Sequence, residues 1–192
     1  MKLYMRISTV IVICIVGFLY FALKGNQLKQ KDLDYAKHKI GQFAEINNNK
    51  AYIIIDYRMP IYKKRLWVFD GNNKVILNCH VTHAHKSGLV YAKKLSNTPE
   101  TELSCAGVFE TQEAYHGSFG KSMRINGLEP NVNNNTRERN IVFHPIPKFT
   151  ILGIKIPEWL LWYSDGCFAT QNEIMTKLVD NYADGTYLVV LK

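Results

Sequence analysis

From residue 51 onward the chain is punctuated so often that it can hold only short strands. Tyr52-Ile53-Ile54-Ile55 is apolar and β-branched, which suits a buried strand of four or five residues. Residues 65–70 and 74–81 flank Gly71-Asn72-Asn73, a hairpin signal. Further strand-like runs follow at 107–111, 121–125, 140–144 and 186–191. Only 170–182 has a helical period, with Ile174, Leu178 and Tyr182 on one face. The polar stretch 127–140, with Asn133-Asn134-Asn135, reads as a loop. Short strands, turns and one late helix predict a mostly-β sandwich over residues 51–192.

The first fifty residues are of another kind. Residues 7–23 carry no charge, with Lys2 and Arg6 before them and Lys24 after. That length is at the short end of what crosses a bilayer as a helix. No small-residue cleavage signal follows Phe21-Ala22-Leu23-Lys24-Gly25, so residues 1–24 are expected to be an uncleaved signal anchor. The positive-inside tendency then puts the C-terminal domain outside the cytoplasm. Cys14 follows Ile13 rather than a small residue and reads as apolar filler, not a lipid attachment point. Residues 25–50 are expected to be a helical tether: Leu33, Ala36, Ile40 and Phe43 form one stripe, a face that would dock on the domain, and Asn47-Asn48-Asn49 ends it.

Composition limits the partners. At 47% apolar and 21% charged residues the chain is globular, not disordered. Setting aside Lys2, Arg6 and Lys24 leaves 21 basic against 16 acidic side chains, a net charge of about +5. Such a charge suits an anionic wall polymer or membrane surface. The basic residues are scattered rather than striped, and an export signal argues against nucleic acid.

The chemistry is concentrated late in the chain. Ser164-Asp165-Gly166-Cys167 stands just ahead of the predicted helix, and the apolar run from Asn140 to Phe143 ends on His144. A cysteine beside a glycine, with an imidazole at a strand end, is the layout of an activated thiol. The thiolate is the nucleophile, and an imidazole or a helix N-terminus favours it. Spacing alone equally fits a buried cysteine and a histidine satisfied by a backbone carbonyl. Gly166 allows a sharp turn, and the N–H groups of Gly166 and Cys167 are candidate oxyanion donors.

Taken in order, Arg65-Leu66-Trp67-Val68-Phe69-Asp70, Ser96-Asn97-Thr98-Pro99, Gly107-Val108-Phe109-Glu110-Thr111, Met123-Arg124-Ile125-Asn126-Gly127, Ile141-Val142-Phe143-His144 and Ser164-Asp165-Gly166-Cys167 resemble the murein L,D-transpeptidase (YkuD-like) catalytic domain. The resemblance runs from about residue 51 to 190. It implies an L,D-transpeptidase-type β-sandwich, peptidoglycan stem peptides as substrate, and no cofactor or metal. It also implies Cys167 as nucleophile and His144 as base, with Ser164 and Gly166 completing the site. This chain departs from the pattern twice. Asp165 stands where many members have histidine, and Ala169 where an arginine is common. A carboxylate beside a thiolate raises the thiol's pKa unless Asp165 points outward. The missing arginine leaves Arg124, Arg137 or Arg139 to recognise a substrate carboxylate.

Two other segments have open readings. In Cys79-His80-Val81-Thr82-His83-Ala84-His85 alternate residues Cys79, His83 and His85 share one strand face. They suit either a metal or plain structure, and the resemblance puts His83 at the border of the substrate groove. Tyr115-His116-Gly117, Ser118 and Lys121 form a polar-aromatic patch, either a lid or a surface loop. Cys79 and Cys105 are expected to be unpaired. The alternative functions are a wall-binding module that has lost turnover, an L,D-carboxypeptidase if water is the acceptor, and a zinc-dependent hydrolase.

Overall fold

Strands buried on both faces need apolar side chains, and β1 (Tyr52–Asp56) meets that demand over its first four residues, its last, Asp56, being paired with Arg58. In the computed structural model it lies inside an eight-stranded sheet. The structure describes residues 2–24, 26–44, 50–147, 150–151, 154–155 and 164–192, so the expected helix stop at Asn47-Asn48-Asn49 lies outside the described residues. The other strands are β2 (Leu66–Phe69), β3 (Val75–Cys79), β4 (Gly107–Gly117), β5 (Gly120–Gly127), β6 (Val142–Pro145), β9 (Phe168–Thr170) and β10 (Tyr187–Leu191). Their order is β3-β2-β1-β10-β4-β5-β6-β9, and β7 (Thr150–Ile151) and β8 (Ile154–Lys155) form a separate pair.

The expected sandwich is therefore corrected. Among the described residues one eight-stranded sheet carries the core, and helices rather than a second large sheet cover its faces. Tyr52, Ile54, Trp67, Phe69, Val108, Val189 and Leu191 make one face, closed by Leu33, Ala36 and Ile40 of α2 (Gln30–Gly41). Ile53, Ile55, Val68, Phe109, Met123, Phe143, Phe168 and Leu188 make the other, closed by Met175, Leu178 and Val179 of α3 (Asn172–Tyr182). Each strand sends alternate residues to the two faces, as the pleat requires. The expected docking stripe is seen in α2: burying Leu33 and Ile40 stabilises by about 1.5–3 kcal/mol each, whereas Phe43 is left exposed beyond the helix.

The first helix, α1 (Lys2–Leu23), exposes Val10, Ile11, Val12, Ile13, Ile15 and Val16. Among the described residues no helix is long and apolar enough to cross a membrane. The joint to the domain is tight. The Phe18 ring meets Tyr62 at 5.2 Å, and the Lys63 ammonium donates to the Phe21 carbonyl. Asn26 accepts a bond from the Trp67 indole at 2.9 Å and donates to Asn78 and Lys64.

The loop 127–140 is ordered by its asparagines. Asn133, fully buried, donates to the Val108 carbonyl at 2.8 Å and accepts the Glu129 N–H at 2.9 Å. Asn135 is held by Asn97 from the Ser96-Asn97-Thr98-Pro99 segment. Asn133→Ala strands buried backbone groups and is expected to cost about 1–3 kcal/mol. Denaturant unfolding of the variant measures it, and an unchanged midpoint would show that Asn133 does not hold the loop.

Candidate active site

At the β5–β6–β9 edge the sheet face that α2 covers elsewhere is left without that helix, and the predicted residues gather there. Phe143 pairs with Phe168 and His144 with Ala169 in parallel register. One step back, Cys167 stands level with Val142. Phe143 and Phe168 point into the α3-side core, so Cys167 and His144 project from the opposite face, as diagonal neighbours roughly 7–8 Å apart at Cα. The sequence expectation placed the cysteine ahead of a helix. A short strand intervenes instead, and α3 begins only at Asn172, so the helix N-terminus does not act on Cys167.

The backbone around the thiol is built by two unusual residues. Gly166 has φ +124°, a region closed to side chains without strain. A Cβ there would also come within 3.1 Å of the Leu103 carbonyl. The Ser164 hydroxyl donates to the Cys167 carbonyl at 2.8 Å and ties the turn. Asn140, just before β6, is left-handed at φ +52°, a conformation asparagine tolerates better than most. Its carbonyl accepts the Cys167 thiol at 3.6 Å.

His144 is buried and held from two sides. Its Nδ1 meets the Pro145 carbonyl at 2.8 Å. A carbonyl can only accept, so Nδ1 carries the proton and Nε2 is the acceptor nitrogen. The Phe119 ring stacks on the imidazole at 4.6 Å between centroids and 24° between planes.

The electrostatics run against an ion pair at rest. Burial pushes the Cys167 thiol up; the Val142 N–H and Arg139 pull it down, and Asp165 adds to the rise. Burial lowers the His144 imidazole, partly offset by the Pro145 carbonyl. Both effects favour neutral forms. The Asp165 side chain is exposed, so burial rather than that carboxylate dominates.

The candidate substrate residues divide. Arg139 is half-buried beside the nucleophile: its guanidinium donates to the carbonyls of Ser96 and Leu103 and would lie 3.5 Å from a Cβ on Gly166. Arg124 pairs with Val142 across β5 and β6, so Arg124, Val142 and Cys167 form one row across three strands. Arg124 covers the Tyr115 ring at 4.8 Å and pairs with Glu113 at 3.3 Å. Arg137 is spent on Glu113 and Asn126. Tyr115 does not sit on a surface loop: it lies in β4, opposite Ser122, in the hairpin whose tip carries Phe119.

His83, expected at the groove border, is fully buried. Arg65 donates to its Nδ1 at 2.7 Å, and its Nε2 donates to the Gly88 carbonyl at 2.7 Å. Burial and Arg65 hold its pKa down at about 4. With both nitrogens committed it does not join Cys79 and His85 as a metal ligand. Among the described residues no three such side chains are placed to hold an ion. Cys79 and Cys105 are free and buried. The contributions of Asn140, Pro145 and Phe119 were not foreseen. Two act through backbone carbonyls, which leave no mark on residue type. Phe119 had as its only signal an apolar ring between Gly117 and Gly120.

The chain is similar to several known proteins. A crystal structure of an Enterococcus faecium L,D-transpeptidase mutant matches at 17% identity and a TM-score of 0.42, over 74% of this chain and 50% of that one. A Mycobacterium smegmatis L,D-transpeptidase matches at 10% and 0.45, over 74% and 59%. The chain thus spans about half the length of the first of these. No curated protein matches it. The model of the L,D-transpeptidase catalytic domain matches residues 24–191, nearly all of the sequence that folds around Cys167 and His144, and the chain belongs to that family.

Proposed function

We propose that this chain is a cysteine-dependent L,D-transpeptidase acting on peptidoglycan stem peptides. The observation that carries the reading is the pairing of β6 with β9, which sets Cys167 and a correctly tautomeric His144 on one face of adjacent strands. Cys167 Sγ attacks the carbonyl of the third stem residue as its proton passes to His144 Nε2. The tetrahedral oxyanion takes hydrogen bonds from N–H groups of the Gly166–Cys167 turn. The C–N bond breaks, and the proton leaves with the amine of the terminal D-amino acid. A side-chain amine of a second stem, or a free D-amino acid, then attacks the thioester and regenerates the thiol. The first acceptor gives a 3–3 cross-link, the second an exchanged stem; water as acceptor would make the enzyme a carboxypeptidase.

The starting pair is neutral, so the thiolate forms in concert with attack rather than in advance. Cys167→Ala is expected to abolish covalent acylation by a carbapenem, and His144→Ala to slow it by roughly two to four orders of magnitude. Mass spectrometry of the intact protein reads both. Wild type that never acylates would turn the reading towards a wall-binding module without turnover. The pH profile has a definite sign. Because the imidazole is lowered, it remains a base as pH falls past the usual value of about 6.5, and acylation persists there. Because the thiol is raised, direct alkylation by iodoacetamide climbs only above the usual thiol value of about 8.5. Rapid alkylation at pH 7 would overturn this account of the resting state.

Arg139 and Arg124 are the residues proposed to meet the donor's carboxylate in place of the arginine that Ala169 replaces. Arg139 flanks Gly166, and Arg124 shares the Cys167 row. Each change to alanine is expected to weaken binding of a tetrapeptide stem about tenfold; Arg124→Ala leaves iodoacetamide alkylation close to wild type, whereas Arg139→Ala, which removes a cation that lowers the thiol, moves alkylation to higher pH. Equal donor affinity in both variants would remove the pair from the site.

The proposal extends to location: residues 1–24 anchor the protein in the bacterial membrane, with the domain outside the cytoplasm. The uncharged run with basic flanks and the exposed apolar side chains of α1 support it. A periplasmic topology reporter fused after Lys192 is expected to be active. A cytoplasmic signal, or a mature form cut near Lys24, would refute the arrangement.

A further inference from the structure

The hairpin between β4 and β5 closes through Gly117 paired with Gly120, leaving Ser118 and Phe119 as its two-residue loop. Two-residue hairpin loops favour glycine, asparagine and aspartate. A phenylalanine gains nothing from the turn, and this one is 50% exposed, so core packing does not explain it either. What its ring does touch is His144, stacked at 4.6 Å. On its far side, Phe119 and Pro145 line a groove with His116, Lys121, Asn172 and Thr176.

We infer that Phe119 is a positioning residue for His144: its ring sets the plane of the imidazole while the Pro145 carbonyl sets its rotation and tautomer. The inference rests on the proposed role of His144 as base. A base on a strand end has two soft torsions, and a single hydrogen bond at Nδ1 fixes only part of that freedom. A stacked ring removes the remainder and shields one face of the imidazole from water. Many triads give this orienting duty to a carboxylate; here a carbonyl and an aromatic face share it, and neither adds charge. The titratable groups around the ring are few. Cys167 stands on the neighbouring strand, and His116 and Lys121 lie on the hairpin, Lys121 being paired with Asp180.

The test uses the full-length protein as wild type, Phe119→Ala and Phe119→Tyr. Acylation by a carbapenem is followed to saturation, and the His144 ring C–H is titrated by NMR. Phe119→Ala is expected to lower the saturating acylation rate ten- to hundredfold, the usual effect of a misplaced catalytic group, with half-saturation changed by less than about threefold. The His144 titration should move up towards the ordinary imidazole value of about 6.5. Phe119→Tyr, which keeps the ring, should restore both. A Phe119→Ala protein with wild-type rate and titration overturns the inference. A loss confined to half-saturation also overturns it, by making Phe119 a substrate contact. His144→Ala separates the two levels: if it acylates like wild type, the reading of His144 as base fails whatever Phe119 does.

Discussion

A guanidinium buried without a carboxylate partner in its hydrogen bonds organises the centre of this domain. Arg65, fully buried, donates to the Val81 carbonyl through two nitrogens, to the Met59 carbonyl and to His83. It also lies 4.9 Å from the centre of the Tyr57 ring. Burial pushes its pKa down to about 10, still well above neutral pH, so a full charge is held by dipoles and an aromatic face, with the nearby Asp56 carboxylate also favouring it. That arrangement carries a desolvation cost unless each donor is used, and its reward is positional. The segment at 81–83 is drawn onto the end of β2. Thr82 then bonds the Ala169 backbone in both directions, which fixes the outer edge of β9, the strand that follows Cys167.

The groups hydrogen-bonded or stacked on Cys167 and His144 are uncharged. Asn140 and Pro145 supply carbonyls, Ser164 a hydroxyl, Phe119 a ring, and Asp165 is exposed. Two charges act on the sulfur from its surroundings, the exposed Asp165 and Arg139, whose guanidinium donates to two carbonyls of the 96–103 stretch. In a weakly polar setting proton transfer from thiol to imidazole requires the substrate's developing oxyanion to be stabilised at the same time.

Much of this was legible in the sequence, where a rule acts over a few residues. The strands at 52–55, 107–111 and 186–191, the hairpin at 71–73 and the stripe of Leu33, Ala36 and Ile40 follow from period and turn chemistry. The expected helix over 170–182 starts two residues later, because Phe168–Thr170 is drawn into pairing with β6. Sheet count was not legible. An alternating strand needs its apolar face covered, and nothing local says whether a sheet or a helix covers it. The site residues Cys167, His144, Ser164 and Gly166 were visible as residue types in order. His83 misled because a histidine near a groove and a histidine locking a buried arginine have the same local sequence. Asn140 and Pro145 escaped because what they contribute is main chain.

The protonated resting state of Cys167 has a chemical consequence beyond the reaction. Peroxides and disulfides react with the thiolate far faster than with the thiol, and oxidation past the sulfenic stage is not ordinarily reversed. A cysteine kept ionised would gain readiness at the expense of lifetime wherever oxidants are present. Here the half-buried thiol is pushed up by desolvation and hydrogen-bonded to the Asn140 carbonyl. The desolvation that makes the Cys167 thiol slow to ionise also slows its oxidation.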